Sequence, residues 1–308
     1  MLERAFTPRA VRLMRQQVDE RSQSLVSDFD KTCAFDFVDR FAFRLPISVI
    51  ADMLGVDNDV ETIRTLSSAL VRTFDPNLDD GGIAEAANAD ESFSELLGQA
   101  VSERRVSPRE DLLSHIVRSA DEEGITDLVI IANAVLLITA GFETTMGLIS
   151  NTTWLLARNH GAREAIIQDS SLVPAAIEES LRLEAPISSI VRLTRAPIEI
   201  GDVKIEAGQD VVIDLASANR DPSVFNDPEQ FVLSRATSPH VAFGGGAHFC
   251  LGAALGRLEG ISAIESLIPV LPALRLLDDQ IAWKPHPTVH CPAWLNVSIT
   301  DVDDRFAT

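Results

Sequence analysis

Positive charge is scarce in this 308-residue chain, where 26 lysines and arginines face 46 aspartates and glutamates for a formal net charge of −20. Such a surface repels polyanions, which disfavours nucleic acid and anionic membranes as partners. Lysine is rarer still, confined to Lys31, Lys204 and Lys284. Cysteine is equally sparse. Cys33, Cys250 and Cys291 are odd in number and far apart, so neither a disulfide framework nor a repeated zinc-binding pair is available, and a reducing cytoplasm fits. The opening "MLERAFTPRAVRLMRQQVDE" lacks the apolar core of a secretory signal. Its arginine spacing faintly resembles a transit peptide, but Glu3, Asp19 and Glu20 point instead to an amphipathic helix. Internal repeats and low-complexity blocks are absent.

What is present is apolar substance enough for a substantial core, with 46% hydrophobic residues. Long helices are predicted early and short strands late. Helical periodicity covers 8–28, 44–54, 59–73, 85–105 and 109–120, with the polar loop "DPNLDDGG" after the third. The longest predicted helix follows Thr126, a suitable N-cap, and runs over about 127–158. It would be roughly 48 Å long, enough to cross a domain. Residues 128–142 are apolar on nearly every face, which marks a central helix; the uninterrupted apolar part is shorter than the ~20 residues of a membrane span. Farther on, "VPAAIEESLRLEAP" is helical until Pro186, "IEIGDVKI" and "QDVVIDLA" read as strands, and "ANRDPSVFNDPEQFVLSR" is a long irregular stretch of the kind that carries function. Glu179 and Arg182 share a helix face, but such a pair is usually exposed and weak.

Two stretches carry chemistry. "AGFETT" places Glu143, Thr144 and Thr145 beside Gly141 in the middle of the apolar helix, where a carboxylate is costly to bury. An acid beside an alcohol can relay protons into a cavity, and a glycine lets a bulky ligand approach the backbone. A local exit to solvent, with the threonines bonded to carbonyls one turn earlier, explains the same residues. The second stretch, "HVAFGGGAHFCLGAALGRLEG" at 240–260, has neither the lysine of a P-loop nor the G-x-G-x-x-G of a dinucleotide loop. Zinc held by His240, His248 and Cys250, or a nucleophilic Cys250 paired with histidine, remain open readings. A third is a thiolate metal ligand. Leu251, Leu255, Leu258 and Ile261 have helical spacing, so Cys250 stands at a helix N-terminal end, where the macrodipole favours the ionised thiol. Gly252, Gly256 and Gly260 along one ridge would let a broad flat ligand such as heme lie against the chain.

On these residues the chain resembles a cytochrome P450 of the soluble bacterial kind. "FGGGAHFCLG" is similar to the heme-thiolate signature F-x-x-G-x-x-x-C-x-G, with Phe243, Gly246, Cys250 and Gly252 in its defining positions, and "AGFETT" to the oxygen-activating segment of the family's long helix. Glu179 and Arg182 match E-x-x-R, Arg235 of "FVLSR" stands where the family completes that triad, and "ANRDP" agrees in place and order. The resemblance implies a mainly α fold with a smaller β region. It implies heme b with Cys250 as the axial thiolate on iron, Glu143 and Thr144 as the proton-delivering acid and alcohol, and Arg192 and His248 on the heme propionates. Ala140, Gly141, Phe243, Gly246 and Gly252 are implied to border the cofactor, and Glu179, Arg182 and Arg235 to be structural. The implied activity is a cytoplasmic monooxygenase inserting one oxygen atom of O2 into a small lipophilic substrate, met near Ile138, Phe142 and Ile187 to Ile190. Electrons would come from a ferredoxin or flavodoxin-type donor with its NAD(P)H reductase, docked with the help of Arg257. The start of the chain is similar to a region inside the family's domain, so the expectation is one N-terminally truncated domain over 1–308. Its thiolate loop and helix occupy about 240–268. The alternative expectation is a truncated or degenerate heme-binding protein without turnover.

Overall fold

Charge and capping residues set where the early helices begin and end. The computed structural model describes residues 6–56, 60–75, 77–235, 239–278 and 280–299. Its helical part consists of α1 (Pro8–Leu13), α2 (Arg15–Ser27), α3 (Arg44–Leu54), α4 (Val60–Val71), α5 (Asp80–Val106), α6 (Leu112–Glu123), α7 (Asp127–Arg158), α8 (His160–Gln168) and α9 (Val173–Leu183). The helix predicted over 8–28 is broken at Met14, which serves as the last cap of α1 and the first of α2. Gly55 and Gly124 end α3 and α6 in left-handed backbone, at φ 64° and 69°. Asp111 caps α6 by accepting from the Ser114 N–H at 2.7 Å, and its other oxygen accepts from Arg104 Nε at 2.9 Å. That buried pair ties the end of α5 to the start of α6.

Helix α7 occupies the range that the sequence predicts. Asp127 in its first turn and Arg158 in its last oppose the partial charges of the helix ends. It packs against α3, α5, α9 and a later helix, α11 (Ala253–Leu267), which places most of its length in the core. By length and mean hydropathy of 1.8 it is long and apolar enough to cross a membrane. Its second half, however, buries Thr145, Ser150, Asn151, Thr152 and Thr153 against other protein elements. Thr152 donates to the Leu148 carbonyl and to Ser180 of α9, and Asn151 donates to the carbonyls of Glu184 and His290. These bonds satisfy polar groups that the helix would otherwise bury at a cost.

Among the described residues, strands form three small antiparallel sheets. One contains β1 (Phe35–Asp36), β6 (Leu274–Leu276) and β7 (Asn296–Ile299) in the order β1-β7-β6, which pairs Phe35 with Val297 across the fold. The second pairs β2 (Ser189–Leu193) with β5 (Asp210–Asp214), Ile190 opposite Ile213. The third is the hairpin β3 (Ile198–Ile200) with β4 (Val203–Ile205), turned at Gly201. The short helix α10 (Leu215–Ala218) follows β5. The mainly α architecture with a smaller β region agrees with the sequence reading.

Two glycines of α11 face its neighbours. A Cβ on Gly256 would stand 3.7 Å from Thr145 Oγ1, and one on Gly260 only 3.1 Å from both Leu148 Cδ2 and Ile177 Cδ1. Gly260 therefore serves helix packing, which corrects the expectation that it gives room to a flat ligand, whereas the Gly256 distance is an ordinary contact that a larger residue such as alanine would also make. Gly260→Val is expected to overpack this crossing and cost about 1–3 kcal/mol in urea denaturation. A loss below about 0.5 kcal/mol would contradict the tight crossing.

Candidate functional site

The site is built on a buried ion cluster. The Glu179 carboxylate on α9 receives two bonds from Arg182, each of 2.9 Å, and two from Arg235 Nε, each of 3.1 Å. Glu179 and Arg182 are 2% and 0% exposed, so the sequence expectation of an exposed, weak pair is corrected. One carboxylate facing two guanidiniums leaves net positive charge, which carbonyl oxygens absorb. Arg182 donates to the carbonyls of Asn219, Pro228 and Gln230, and Arg235 to that of Asn226. The irregular segment that follows α10 is thereby fixed to α9 through its backbone.

That segment hands its order to the glycine-rich loop. The Asn219 side chain accepts from the Val241 N–H at 2.8 Å, and the Cys250 N–H donates to the Phe243 carbonyl at 3.0 Å. Gly244 and Gly246 have φ of 68° and 64°, a backbone that other residues rarely adopt. Open space lies beside Gly245 and Gly246, where an added Cβ meets no atom within 4 Å. The loop ends at Gly252, the N-cap of α11. Arg257 lies over the Phe243 ring at 4.4 Å and donates to both oxygens of Glu178, at 2.6 and 3.0 Å. His240 approaches the same carboxylate at 3.1 Å. Arg257 thus bonds within the protein while its side chain stays 32% exposed.

Cys250 is exposed, with Phe249 beside it 54% exposed. Desolvation by the protein around its sulfur raises the thiol's pKa, while the Gly252 N–H and the Arg257 charge work against the rise. The expected lowering at the helix end is therefore outweighed in this structure. The helix itself begins only at Ala253.

The contacts of Gly256 with Thr145 and of Gly260 with Leu148 advance in the same direction along α11 and α7. α7 and α11 therefore run in the same direction where they cross. On α7 Leu128 is 74% exposed and Leu136 55%, Ala140 is exposed and Thr144 is half-buried, the last three one turn apart on a single stripe. Thr144 Oγ1 donates to the Ala140 carbonyl at 3.0 Å. Ile138 and Phe142, expected to line the pocket, are instead core residues, with Phe142 edge-on to Phe43. Gly141 faces Ile50 of α3. Ile187 to Ile190 are half-buried, as a lining role requires.

The acid and the alcohol diverge. Glu143 is 6% exposed and its Oε1 accepts from Lys284 Nζ at 2.7 Å, while Thr144 takes the open stripe. Thr145 Oγ1 donates to the Gly141 carbonyl at 3.1 Å, and on α11 Glu259 is a fully enclosed carboxyl that burial pushes well above the ordinary range. Arg192 and His248 are both exposed, and the Arg192 guanidinium bonds to the Val191 carbonyl. Lys284, Glu259 and the Glu178 cluster escaped the sequence reading. Glu259 had a signal, since it is one turn past buried Leu255 on α11.

This arrangement fits a broad flat cofactor with carboxylate arms. It offers an exposed thiol for a metal, open glycine backbone and an apolar ring beside it, a small-residue stripe on the neighbouring helix, and exposed cationic side chains. The family model described as cytochrome P450 matches residues 4–268. The chain is 36% identical over 290 residues to cytochrome P450 107B1 of Saccharopolyspora erythraea, covering 92% of this chain and 70% of that protein. It is 36% identical over 300 residues to the cytochrome P450 monooxygenase PikC of Streptomyces venezuelae, covering 94% and 70%. Among solved structures, the tirandamycin C-bound P450 monooxygenase TamI superposes with a TM-score of 0.87 at 36% identity, over 97% of this chain and 73% of that one.

The Glu178 cluster gives a pH test. Burial raises that carboxyl, but the hydrogen bonds and charges of His240 and Arg257 outweigh it and hold the pKa to about 2. A pKa lower in the folded state than in the unfolded one stabilises above the ordinary carboxylate range, and the contribution is lost as pH falls from about 4.5 toward 2. Glu178→Gln is expected to flatten the fall in thermal stability across that window. An unchanged slope would contradict the clamp.

Proposed function

This chain belongs to the cytochrome P450 family, and from that premise we propose that Cys250, Glu143 and Thr144 carry its reaction, with Arg192 and His248 holding the cofactor's carboxylates. The protein is a heme-thiolate monooxygenase that binds heme b and uses O2, a redox partner and a lipophilic substrate. Heme held by a thiolate supplies an electron-rich iron that favours O–O cleavage and the transfer of one oxygen atom to the substrate. The observation that supports the assignment of residues is the open stripe of Leu136, Ala140 and Thr144 on α7 together with the exposed Cys250 in the loop ahead of α11, the helix that packs on α7.

Each residue has a physical task. Cys250 provides the sulfur, and the Gly252 N–H that bonds to it tunes that sulfur's charge. Phe243 packs under the loop through Arg257, and Gly246 and Ala140 leave room for the flat cofactor. Arg192 and His248 are exposed and free to meet carboxylates. Thr144 holds a proton at the open stripe, and Glu143, one residue away, replenishes it. Glu179, Arg182 and Arg235 keep the loop in place. The apolar stripe and the half-buried Ile187 to Ile190 favour a lipophilic substrate. We assign the electron donor to the ferredoxin or flavodoxin class with an NAD(P)H-dependent reductase, and the location to the cytoplasm. With Cys250, Glu143, Thr144 and the Glu179 cluster all in place, no observation favours the alternative of a protein without turnover.

The test uses heme-loaded protein, a surrogate ferredoxin with its reductase, and lipophilic compounds that perturb the heme spectrum. Under isotopically labelled dioxygen, one labelled oxygen atom is expected in each product molecule; product oxygen drawn from water would overturn the reading. Thr144→Ala is expected to lower product formed per electron pair on the order of 10²-fold while peroxide rises. Unchanged coupling would remove Thr144 from proton delivery.

A further inference from the structure

Glu178 and Glu179 are neighbours on α9, yet they hold different cations. Glu179 serves Arg182 and Arg235, whereas Glu178 reaches Arg257 on α11, accepting bonds of 2.6 Å from Nε and 3.0 Å from Nη2. The His240 ring meets the second oxygen of Glu178 at 3.1 Å, from a side chain only 3% exposed. On its other side the Arg257 guanidinium stands over the Phe243 ring at 4.4 Å. Arg257 is thereby the middle member of a stack of carboxylate, guanidinium and ring. Phe243 is bonded in turn to the residue that carries the thiol, because its carbonyl accepts the Cys250 N–H at 3.0 Å. The Arg257 charge reaches the Cys250 sulfur, where it favours negative charge.

We infer that Glu178 is a positioning residue which fixes the Arg257 cation against Phe243, and that this cation raises the reduction potential of heme bound through Cys250. The inference rests on the role of Cys250 proposed above. Adding an electron to a heme–thiolate unit adds negative charge, which a cation fixed in the protein close by stabilises. An arginine free to swing into water would contribute far less, because solvent and salt screen it there. The carboxylate and the ring remove that freedom from two sides, one by a fork of two bonds and the other by cation–π attraction. Arginine suits the place because its plane meets the ring with its face and the carboxylate with its edge at the same time.

Glu178 also opposes the charge that it positions. Its own negative charge offsets part of the cation's effect, and water screens a further part, since the Arg257 and Glu178 side chains are 32% and 35% exposed. The two members of the pair consequently pull the potential in opposite directions. A brace that only kept the loop in shape would not do so, because either substitution would loosen the same contact.

Redox titration of the heme-loaded protein with mediator dyes, in the absence of any partner protein, tests this without turnover. In Arg257→Met the ferrous-to-ferric ratio, read at the midpoint potential of the unsubstituted protein, is expected to fall about threefold to tenfold, tenfold being about 59 mV for one electron. Arg257→Lys keeps the charge and is expected to fall less. Glu178→Gln keeps an oxygen for Arg257 but removes the opposing charge, so its ratio is expected to rise. Shifts of the same sign in Arg257→Met and Glu178→Gln would overturn the inference, as would an Arg257→Lys shift as large as that of Arg257→Met. An unchanged potential in Arg257→Met would overturn it too, and slower reduction of that variant by a surrogate ferredoxin would then assign Arg257 to docking. Reduced carbon monoxide spectra of the same samples report the iron ligand. Loss of the thiolate-type Soret band in the variants alone would leave the pair as a brace and overturn the inference, whereas its absence from the unsubstituted protein would instead remove the reading of Cys250.

Discussion

One carboxylate, Glu179, determines whether the rest of the site can exist. It is enclosed by protein and bonded to Arg182 and Arg235, two cations that could not be buried without it. The surplus positive charge is met by carbonyls of the segment after α10, which has little regular structure of its own. The cluster therefore replaces secondary structure as the source of order there. Breaking a buried pair of this kind typically costs about 3–5 kcal/mol, because the remaining charges stay enclosed. That cost is transmitted through Asn219 and Val241 to the loop that carries Cys250.

Helices α7 and α11 supply the second constraint. Gly260 lets α11 lie close to Leu148 and Ile177, which fixes α11, and the start of the helix that follows Cys250, against α7 and α9. The opening is narrow in sequence: Ile138 and Phe142 are in the core, while Ala140 and Thr144 are not. Two residues, a rotation of about 200° around the helix, separate the packed positions from the open ones. Glu143 and Thr144 differ for the same reason, the acid meeting Lys284 and the alcohol the open stripe.

Much of this was legible in the sequence. The range of α7 and the strands around Gly201 follow from local periodicity and turn residues, which a single chain displays directly, whereas Glu179 and Cys250 were singled out by resemblance to family motifs, and Thr126 makes no side-chain capping bond. Long-range pairing is not displayed in that way. The burial of Glu179 depends on Arg235, and the partner of Glu143 is Lys284, far along the chain and in a segment without a motif. Gly260 was misread for a related reason: spacing shows that it shares a face with Gly256, but not that α7 and α9 occupy that face. The thiol of Cys250 was expected to be lowered by a helix end, yet the surrounding protein desolvates it more strongly.

The central claim is that the Glu179 cluster and the α11 crossing present the Cys250 sulfur as the axial ligand of heme. Its most direct test is the reduced carbon monoxide complex of the heme-loaded protein. The account predicts a Soret band at the long-wavelength position given by thiolate ligation, lost in Cys250→Ser. A band at the shorter-wavelength position of histidine-ligated or thiol-ligated heme, unchanged in that variant, would contradict it.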